Sequence, residues 1–302
     1  KWNKEYIFAR NQGTGYSDNI HQEKCMAANG MGGWSGLCPT QELVDAYEMA
    51  NGSTPIIGYN ADGTPIINGA SGYSETGFAA TAGKHYPAGV YNMYVGREPR
   101  FYASINFNGQ QWRGRQLEFW QGGKDGINVS KVDYCCTGYL LRKTADEGVD
   151  VINGKGGMKE ASILFRVGSL YLDYAEALNE AEGPVDDVYK YVDAIRKRAG
   201  LPGLAKGLDK DKMRERIQHE RQIELAFEAG HRYFDCHRWK IAEKTDNGYM
   251  HGMNITATNK VDYSKRSTVG DSRVFEKKHY LFPIPQSEMD KQIGLVQSPY
   301  WE

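Results

Sequence analysis

The sequence predicts a mostly α-helical protein in which tetratricopeptide-like helical repeats support a loop-rich region with short β elements. Three observations carry this prediction. Beyond residue 160 the apolar residues recur at steps of three and four. Before it, 25 of the 35 glycines are crowded together with 20 of the 36 aromatics. The first two helices after residue 160 then form a helix–turn–helix about one tetratricopeptide unit long.

Composition bounds the rest. The chain has 302 residues, with Lys plus Arg at 37 and Asp plus Glu at 38, so its net charge is −1. A dedicated nucleic-acid binder carries a basic surplus to neutralise phosphates, and this chain has none. No apolar run approaches the roughly 18 residues that suggest a membrane-spanning helix. Hydrophobic residues at 40 % and charged residues at 25 % suit a folded globular chain. The start, Lys1-Trp2-Asn3-Lys4, lacks the apolar stretch and cleavage site of a signal peptide. Cys25, Cys38, Cys135, Cys136 and Cys236 are odd in number and cannot all pair within the chain. Cys25 and Cys38 are spaced to pair across a Gly-rich loop, and reduced thiols are the general expectation. The vicinal pair Cys135-Cys136 disfavours metal-ligand spacing.

The elements follow in order. Thr40 is an N-cap for a helix carrying Leu43, Val44, Ala46 and Tyr47 and ending near Asn51-Gly52. Residues 54–73 repeat Pro, Gly, Asn and Asp and read as a turn-dense loop. Phe101, Ala103, Ile105 and Phe107 alternate with more polar residues and predict a strand, closed by the Asn108-Gly109 turn. Ile163, Leu164, Val167, Leu170, Tyr171, Tyr174, Ala175 and Leu178 predict one helix, stopping near Gly183-Pro184. A second runs from Val185 to Ala199 with Gly200 as a left-handed cap. A third starts near Asp209, carries Met213, Ile217, Ile223, Leu225 and Phe227, and stops at Gly230. A fourth covers roughly residues 231–244. One helix pair cannot bury its own apolar face, so further helices are expected against it.

Catalytic constellations are scarce. Gly154-Lys155-Gly156-Gly157 lacks the frame of a phosphate loop. No G-x-S-x-G elbow and no H-E-x-x-H occur. Seven histidines lie without ligand spacing. Asn60-Ala61-Asp62-Gly63 is a fragment of a calcium loop without its downstream Glu. Neither a cofactor nor a metal site is therefore expected, and no catalytic residue. Glu220, Glu224 and Glu228 are spaced four apart, which a two-carboxylate glycoside hydrolase could use. Arg196, Arg198, Arg214, Arg216, Arg221, Arg232 and Arg238 favour a structural role instead. Adjacent guanidinium groups lower carboxylate pKa values, the wrong direction for a general acid.

The aromatics divide at residue 160. Tyr171, Tyr174, Phe227, Tyr233 and Phe234 lie in helical register and are expected in the core. Trp34, Tyr59, Tyr73, Tyr86, Tyr91, Trp112, Trp120 and Tyr134 lie in polar, Gly-rich surroundings. An aromatic face stacks on the C–H face of a sugar while nearby amides bond its hydroxyls. Trp34, Tyr73, Trp112 and Trp120 are selected as ligand platforms on local composition: Gln110-Gln111 precedes Trp112 and Gln121 follows Trp120.

Several blocks now carry a resemblance. Residues 166–180 read Arg-Val-Gly-Ser-Leu-Tyr-Leu-Asp-Tyr-Ala-Glu-Ala-Leu-Asn-Glu, and residues 195–202 read Ile-Arg-Lys-Arg-Ala-Gly-Leu-Pro. Residues 220–228 read Glu-Arg-Gln-Ile-Glu-Leu-Ala-Phe-Glu, followed by Arg232-Tyr233-Phe234-Asp235 and Arg238-Trp239. Residues 280–285 read Tyr-Leu-Phe-Pro-Ile-Pro, and residues 295–301 close the series. In order and spacing they resemble SusD/RagB proteins over nearly the whole chain. The junction Ala229-Gly230-His231-Arg232 is looser than the family's.

The resemblance implies a glycan-binding lipoprotein of the outer membrane, held at the cell surface by a lipidated N-terminal Cys absent from this chain. It implies oligosaccharide or polysaccharide ligands and a SusC-like TonB-dependent transporter as partner, over which the protein acts as a hinged lid. It implies no enzymatic activity. Glu220, Arg221, Glu224, Arg232, Asp235 and Arg238 are then residues that knit helices together. Residues 1–160 are expected to form the loop-rich ligand-binding region and residues 161–302 the helical region of one integrated domain lacking its N-terminal repeats. A glycoside hydrolase using the clustered Glu residues and a protein-binding helical scaffold are the alternatives.

Overall fold

The computed structural model describes residues 4–11, 16–155, 161–228, 230–291 and 294–301. Residues 1–3 of the charged start, Gly156-Gly157 of the glycine run, residue 160 at the expected regional boundary and Ala229 of the looser junction lie outside them.

Ten α-helices occur among the described residues: α1 (Tyr16–Met26), α2 (Gln41–Ala46), α3 (Pro99–Ser104), α4 (Val167–Glu182), α5 (Asp186–Arg198), α6 (Lys210–Glu224), α7 (His231–Arg238), α8 (Ala242–Thr245), α9 (Lys260–Tyr263) and α10 (Gln286–Met289). The strands are short: β1 (Tyr6–Asn11), β2 (Ile56–Tyr59), β3 (Pro65–Ile67), β4 (Ile105–Phe107), β5 (Gln111–Trp112), β6 (Arg115–Gln116), β7 (Tyr139–Leu141), β8 (Ala161–Arg166), β9 (Gly248–Met253) and β10 (Arg266–Arg273). They form two-stranded antiparallel pairs only: β1–β8, β2–β3, β4–β7, β5–β6 and β9–β10. None of the helices is long and apolar enough to cross a membrane. The mostly α, tetratricopeptide-like expectation therefore holds.

α4 and α5 are the expected helix–turn–helix, hinged at Gly183 with φ of 84°. α6 supplies the covering helix that one such pair needs. Ala175 of α4, Val188, Tyr189 and Val192 of α5, and Met213 and Ile217 of α6 bury one another. Asp209 caps α6 by accepting the Lys212 N–H at 2.8 Å.

A second, larger core is built from the early aromatics. Tyr47, Tyr94, Phe101, Phe107, Phe119 and Tyr139 are fully buried in one cluster with Val44, Met93 and Ile105. Phe101 and Phe107 stack at 5.4 Å, and Tyr94 meets Phe107 at 4.3 Å. The glycine-rich segments thus wrap an aromatic core rather than loose loops.

Several local expectations are corrected. The helix after Thr40 ends at Ala46, well short of Asn51-Gly52. Its open carbonyls at Val44 and Tyr47 accept from the buried Arg97 guanidinium at 2.5 and 2.7 Å, which ends the helix in the core. Residues 54–73 hold the hairpin β2–β3, closed where the Asn60 N–H meets the Thr64 carbonyl at 2.9 Å and Gly63 takes a φ of 81°. Residues 101–107 are a strand only from Ile105. Pro99 has the φ of a first helical turn and starts α3 before it. Ile163 and Leu164 belong to β8, because pairing with β1 supplies their backbone partners and overrides the helical spacing.

α6 stops at Glu224, and Phe227 turns into the left-handed region with φ of 64°. The three glutamates therefore do not share one helical face to the end. The fourth helix is split into α7 and α8 at Lys240, whose φ is 57°. Tyr174, Tyr233 and Phe234 are exposed rather than core, Phe234 at 62 %. All five cysteines are free thiols. Cys38 lies 3.9 Å from Cys135 Sγ instead of pairing with Cys25.

Candidate functional site

A cleft of about 630 Å³ opens where four segments meet. The β4–β7 pair aligns Ile105 with Leu141. That register carries Arg142 back to α3, where its N–H donates to the Ser104 carbonyl at 2.8 Å. Tyr102 and Ala103 of α3 and the helix-starting Pro99 form one wall. The Asn108-Gly109 turn, with Gly109 at φ of 86°, delivers Gln110 and Gln111 to the floor and rim. Residues 83–87 close the mouth through a turn in which the Gly83 N–H donates to the Tyr86 carbonyl at 2.9 Å. Gly83 lies against the Tyr86 ring, and a Cβ at that position would stand 2.4 Å from its Cζ.

Rings line this cleft. The His85 ring stacks on Tyr102 at 5.1 Å with an interplanar angle of 19°, and Tyr86 lies 6.1 Å from Tyr102 at 28°. Tyr102 is fixed from behind: its hydroxyl donates to the Tyr94 carbonyl at 2.5 Å and accepts the Arg97 N–H at 3.2 Å. Gln110 is only 6 % exposed, and its Oε1 has no hydrogen-bond partner. A buried, unsatisfied acceptor in a cleft invites a donor such as a ligand hydroxyl. Among the described residues no carboxylate lines the cleft, whereas Lys84, His85 and Arg142 do. Burial, with Lys84 and Arg142 nearby, holds the His85 imidazole below its ordinary pKa. A larger cavity of about 710 Å³ beside Gly30 and Arg113–Arg115 has no aromatic wall. Its arginines already carry carboxylate partners, Arg113 with Glu23 at 2.7 Å and Arg115 with Asp125 at 2.6 Å, although Nε and Nη1 of Arg113 are left without a hydrogen-bond partner among the described residues.

The four aromatics selected from sequence are placed apart. No ring contact joins any two of them among the described residues. Trp34 is 38 % exposed, stacked on His21 at 5.4 Å with Lys24 Nζ at 5.4 Å from its ring centre. Trp120 is half-buried under Lys260 Nζ at 5.1 Å. Tyr73 and Trp112 are core residues, 7 % and 3 % exposed. Tyr73 packs under Arg97 and donates its hydroxyl to Glu75 at 2.7 Å. Trp112 does not offer its own face to a ligand but lies beneath Arg142, whose guanidinium sits 4.7 Å from the ring centre. Burial is a tertiary property that local composition does not carry.

The sequence profile of the SusD family (SusD_RagB) matches residues 2–301. The chain belongs to the SusD family. Among solved structures, it is similar to a SusD-like protein from Bacteroides fragilis NCTC 9343, with 30 % identity and a TM-score of 0.71, covering 99 % of this chain and 55 % of that one. A SusD-like carbohydrate binding protein from the same organism shares the fold, with 24 % identity and a TM-score of 0.70 over 95 % of this chain and 53 % of its own. SusD-like protein P25 of Formosa agariphila is 42 % identical over 82 residues, 26 % of this chain and 15 % of that protein. The chain spans about half the length of the solved relatives and a smaller share of the curated one.

In this SusD-family chain the clustered glutamates are ion-pair hubs. Glu220 accepts from Arg100 at 2.6 Å and Arg196 at 3.1 Å. Glu224 accepts from Arg166 at 2.9 Å, Arg198 at 2.5 Å and Arg100 at 3.2 Å. Glu228 pairs with Arg166 at 2.7 Å and Lys143 at 2.5 Å. Burial pushes the Glu224 and Glu228 pKa values up, but the surrounding cations outweigh it and hold both below the usual carboxylate range. Such groups stay ionised and paired, which does not suit proton donation to a leaving group. Arg100, Arg166 and Lys143, distant in sequence, are the partners that spacing alone missed. The arginines near the glutamates mostly pair elsewhere: Arg221 with Asp173 and Asp235, Arg238 with Glu176 and Asp235, Arg214 with Glu180 and Asp211, Arg216 with Glu48. Arg232 forms no ion pair among the described residues. His85 and Arg142 were also invisible as site residues, because only the β4–β7 register and the stacking on Tyr102 bring them together.

Proposed function

We propose that this protein binds glycans at the cell surface as the SusD-type subunit of an outer-membrane uptake complex. The carrying observation is the ring-lined cleft with the unsatisfied Gln110 Oε1, found in a chain of the SusD family. Tyr86 and His85 supply flat apolar surface for a sugar ring, with the buried Tyr102 fixed behind them. Gln110 and Gln111 orient its hydroxyls, as in sites that combine a few rigid contacts with placed polar groups. Trp34 and Trp120 are proposed as outlying platforms, and Trp112 as the support for Arg142. Neutral overall charge fits a ligand dominated by hydroxyls.

In this reading a lipidated N-terminal Cys anchors the protein, and bound oligosaccharide or polysaccharide passes to a SusC-like TonB-dependent transporter as the lid closes. No covalent chemistry is involved. Carbohydrate binding by a solved fold relative agrees with this reading. Retention of the protein in affinity gels carrying a polysaccharide panel tests it. Retention that is lost in Tyr86→Ala with an unchanged melting temperature is expected. Absence of retention on every polysaccharide, with capture of a protein partner instead, would favour the scaffold alternative.

A further inference from the structure

Among the described residues, most of the buried arginines have a carboxylate partner, and Arg97, which has none, is held by the Met93, Val44 and Tyr47 carbonyls; Arg142 has neither. Arg100, Arg113, Arg115, Arg166, Arg196 and Arg266 are all held by carboxylates. Arg142 is half-buried and forms no ion pair among the described residues. Its guanidinium rests on Trp112, whose ring face offsets only part of the loss of water. Burial lowers its pKa, and Glu147, the carboxylate that opposes this, accepts the Arg113 N–H at 3.2 Å rather than bonding Arg142. Burying a charge without a partner is unfavourable, and the usual remedy is an opposite charge.

The same cleft carries Lys84 and His85 and, among the described residues, no acidic side chain. Lys84 is exposed at the mouth, His85 is stacked flat on Tyr102, and Arg142 lines the same cavity. A planar guanidinium presents parallel N–H donors that match a carboxylate or a sulfate ester. The unsatisfied Gln110 Oε1 is an acceptor, which a donor and not an anion would satisfy. A ligand that meets both demands has a hydroxyl on one edge and a negative group on another.

We propose that this cleft selects anionic glycans, with Arg142 and Lys84 receiving the carboxylate or sulfate ester of a sugar residue and Gln110 accepting a neighbouring hydroxyl. This specificity rests on the glycan-binding reading of the same cleft. The two anion sources share the recognition chemistry and separate only in the test.

Isothermal titration with the purified protein provides the test. The probes are an oligogalacturonate and its carboxyl-reduced neutral counterpart, and a sulfated galactan oligosaccharide and its desulfated counterpart. The expected result is binding to at least one anionic member, about tenfold or more tighter than to its neutral twin, and weakening as salt rises. Preference within the uronate pair or the sulfate pair identifies the anion. Arg142→Gln should remove the preference, and Arg142→Lys should keep part of it. Lys84→Gln, on an exposed loop where folding is not at stake, should reduce it by a few-fold. Equal affinity for charged and neutral twins would overturn the anionic specificity while leaving glycan binding in place. Binding to none of the four probes, alongside binding to a neutral polysaccharide of another backbone, would overturn it likewise. Binding to no glycan of any kind would overturn both readings.

Discussion

Single positions decide what the cleft can present. Gly83 has no room for a Cβ because the Tyr86 ring occupies that space. Gly83→Ala therefore displaces the ring while the loop stays exposed. The expected outcome is several-fold weaker glycan binding with a melting temperature close to that of the parent, read by titration and calorimetry. Trp34 and Trp112 make the opposite pair. Trp34 projects from the surface, so Trp34→Ala should change stability by no more than about 0.5 kcal/mol. Trp112 is buried, and Trp112→Ala should cost about 3–5 kcal/mol in denaturant unfolding and release Arg142 from its support. Equal destabilisation by both changes would contradict this division. The two tryptophans look alike in sequence, each flanked by small or polar residues, and only burial separates them.

At the scale of elements, ion pairs reinforce the link that Ile223 of α6 makes with the aromatic core. Arg100 of α3 reaches Glu220 and Glu224 of α6, and Arg166 at the end of β8 reaches Glu224 and Glu228. Glu48, after α2, receives Arg196 of α5 at 2.9 Å together with Arg216 of α6. The network is the bolt between the aromatic core and the helical core. Removing one partner strands the others as buried charges. Glu224→Gln should therefore destabilise by about 3–5 kcal/mol, measured by chemical denaturation. Glu224 and Glu228 also set an acid limit. Their folded pKa values lie below the unfolded value of about 4.3, so their contribution is complete above that pH. It is lost as pH falls through the lower folded values. A stability profile between pH 5 and pH 2 should show this loss, and Glu224→Gln should flatten it. Incubation with polysaccharides should release no reducing sugar from the parent or from Glu220→Gln, since these carboxylates are occupied by cations.

At the scale of the molecule, the two regions differ in how they were legible. α4, α5 and α6 were readable because each buries a periodic stripe against the next, and a local pattern records that burial directly. Their caps at Gly183 and Asp209 followed from local chemistry as well. The β8 strand and the α3 turn were misread because their outcome depends on distant partners, β1 in one case and the aromatic core in the other. The cleft was half legible. Tyr86, Gln110 and Gln111 drew notice through composition, whereas His85 and Arg142 did not, since they are separated from each other by 57 positions in the chain.

The sequence by itself determined the family, the helical half and the absence of a recognisable catalytic constellation, because motifs, periodicity and caps act over a few residues. Only the tertiary structure decided which early aromatics are core and which face a cleft, and which cations go unpaired within it. Burial and charge pairing are set by segments far apart in the chain, and no local pattern encodes their meeting.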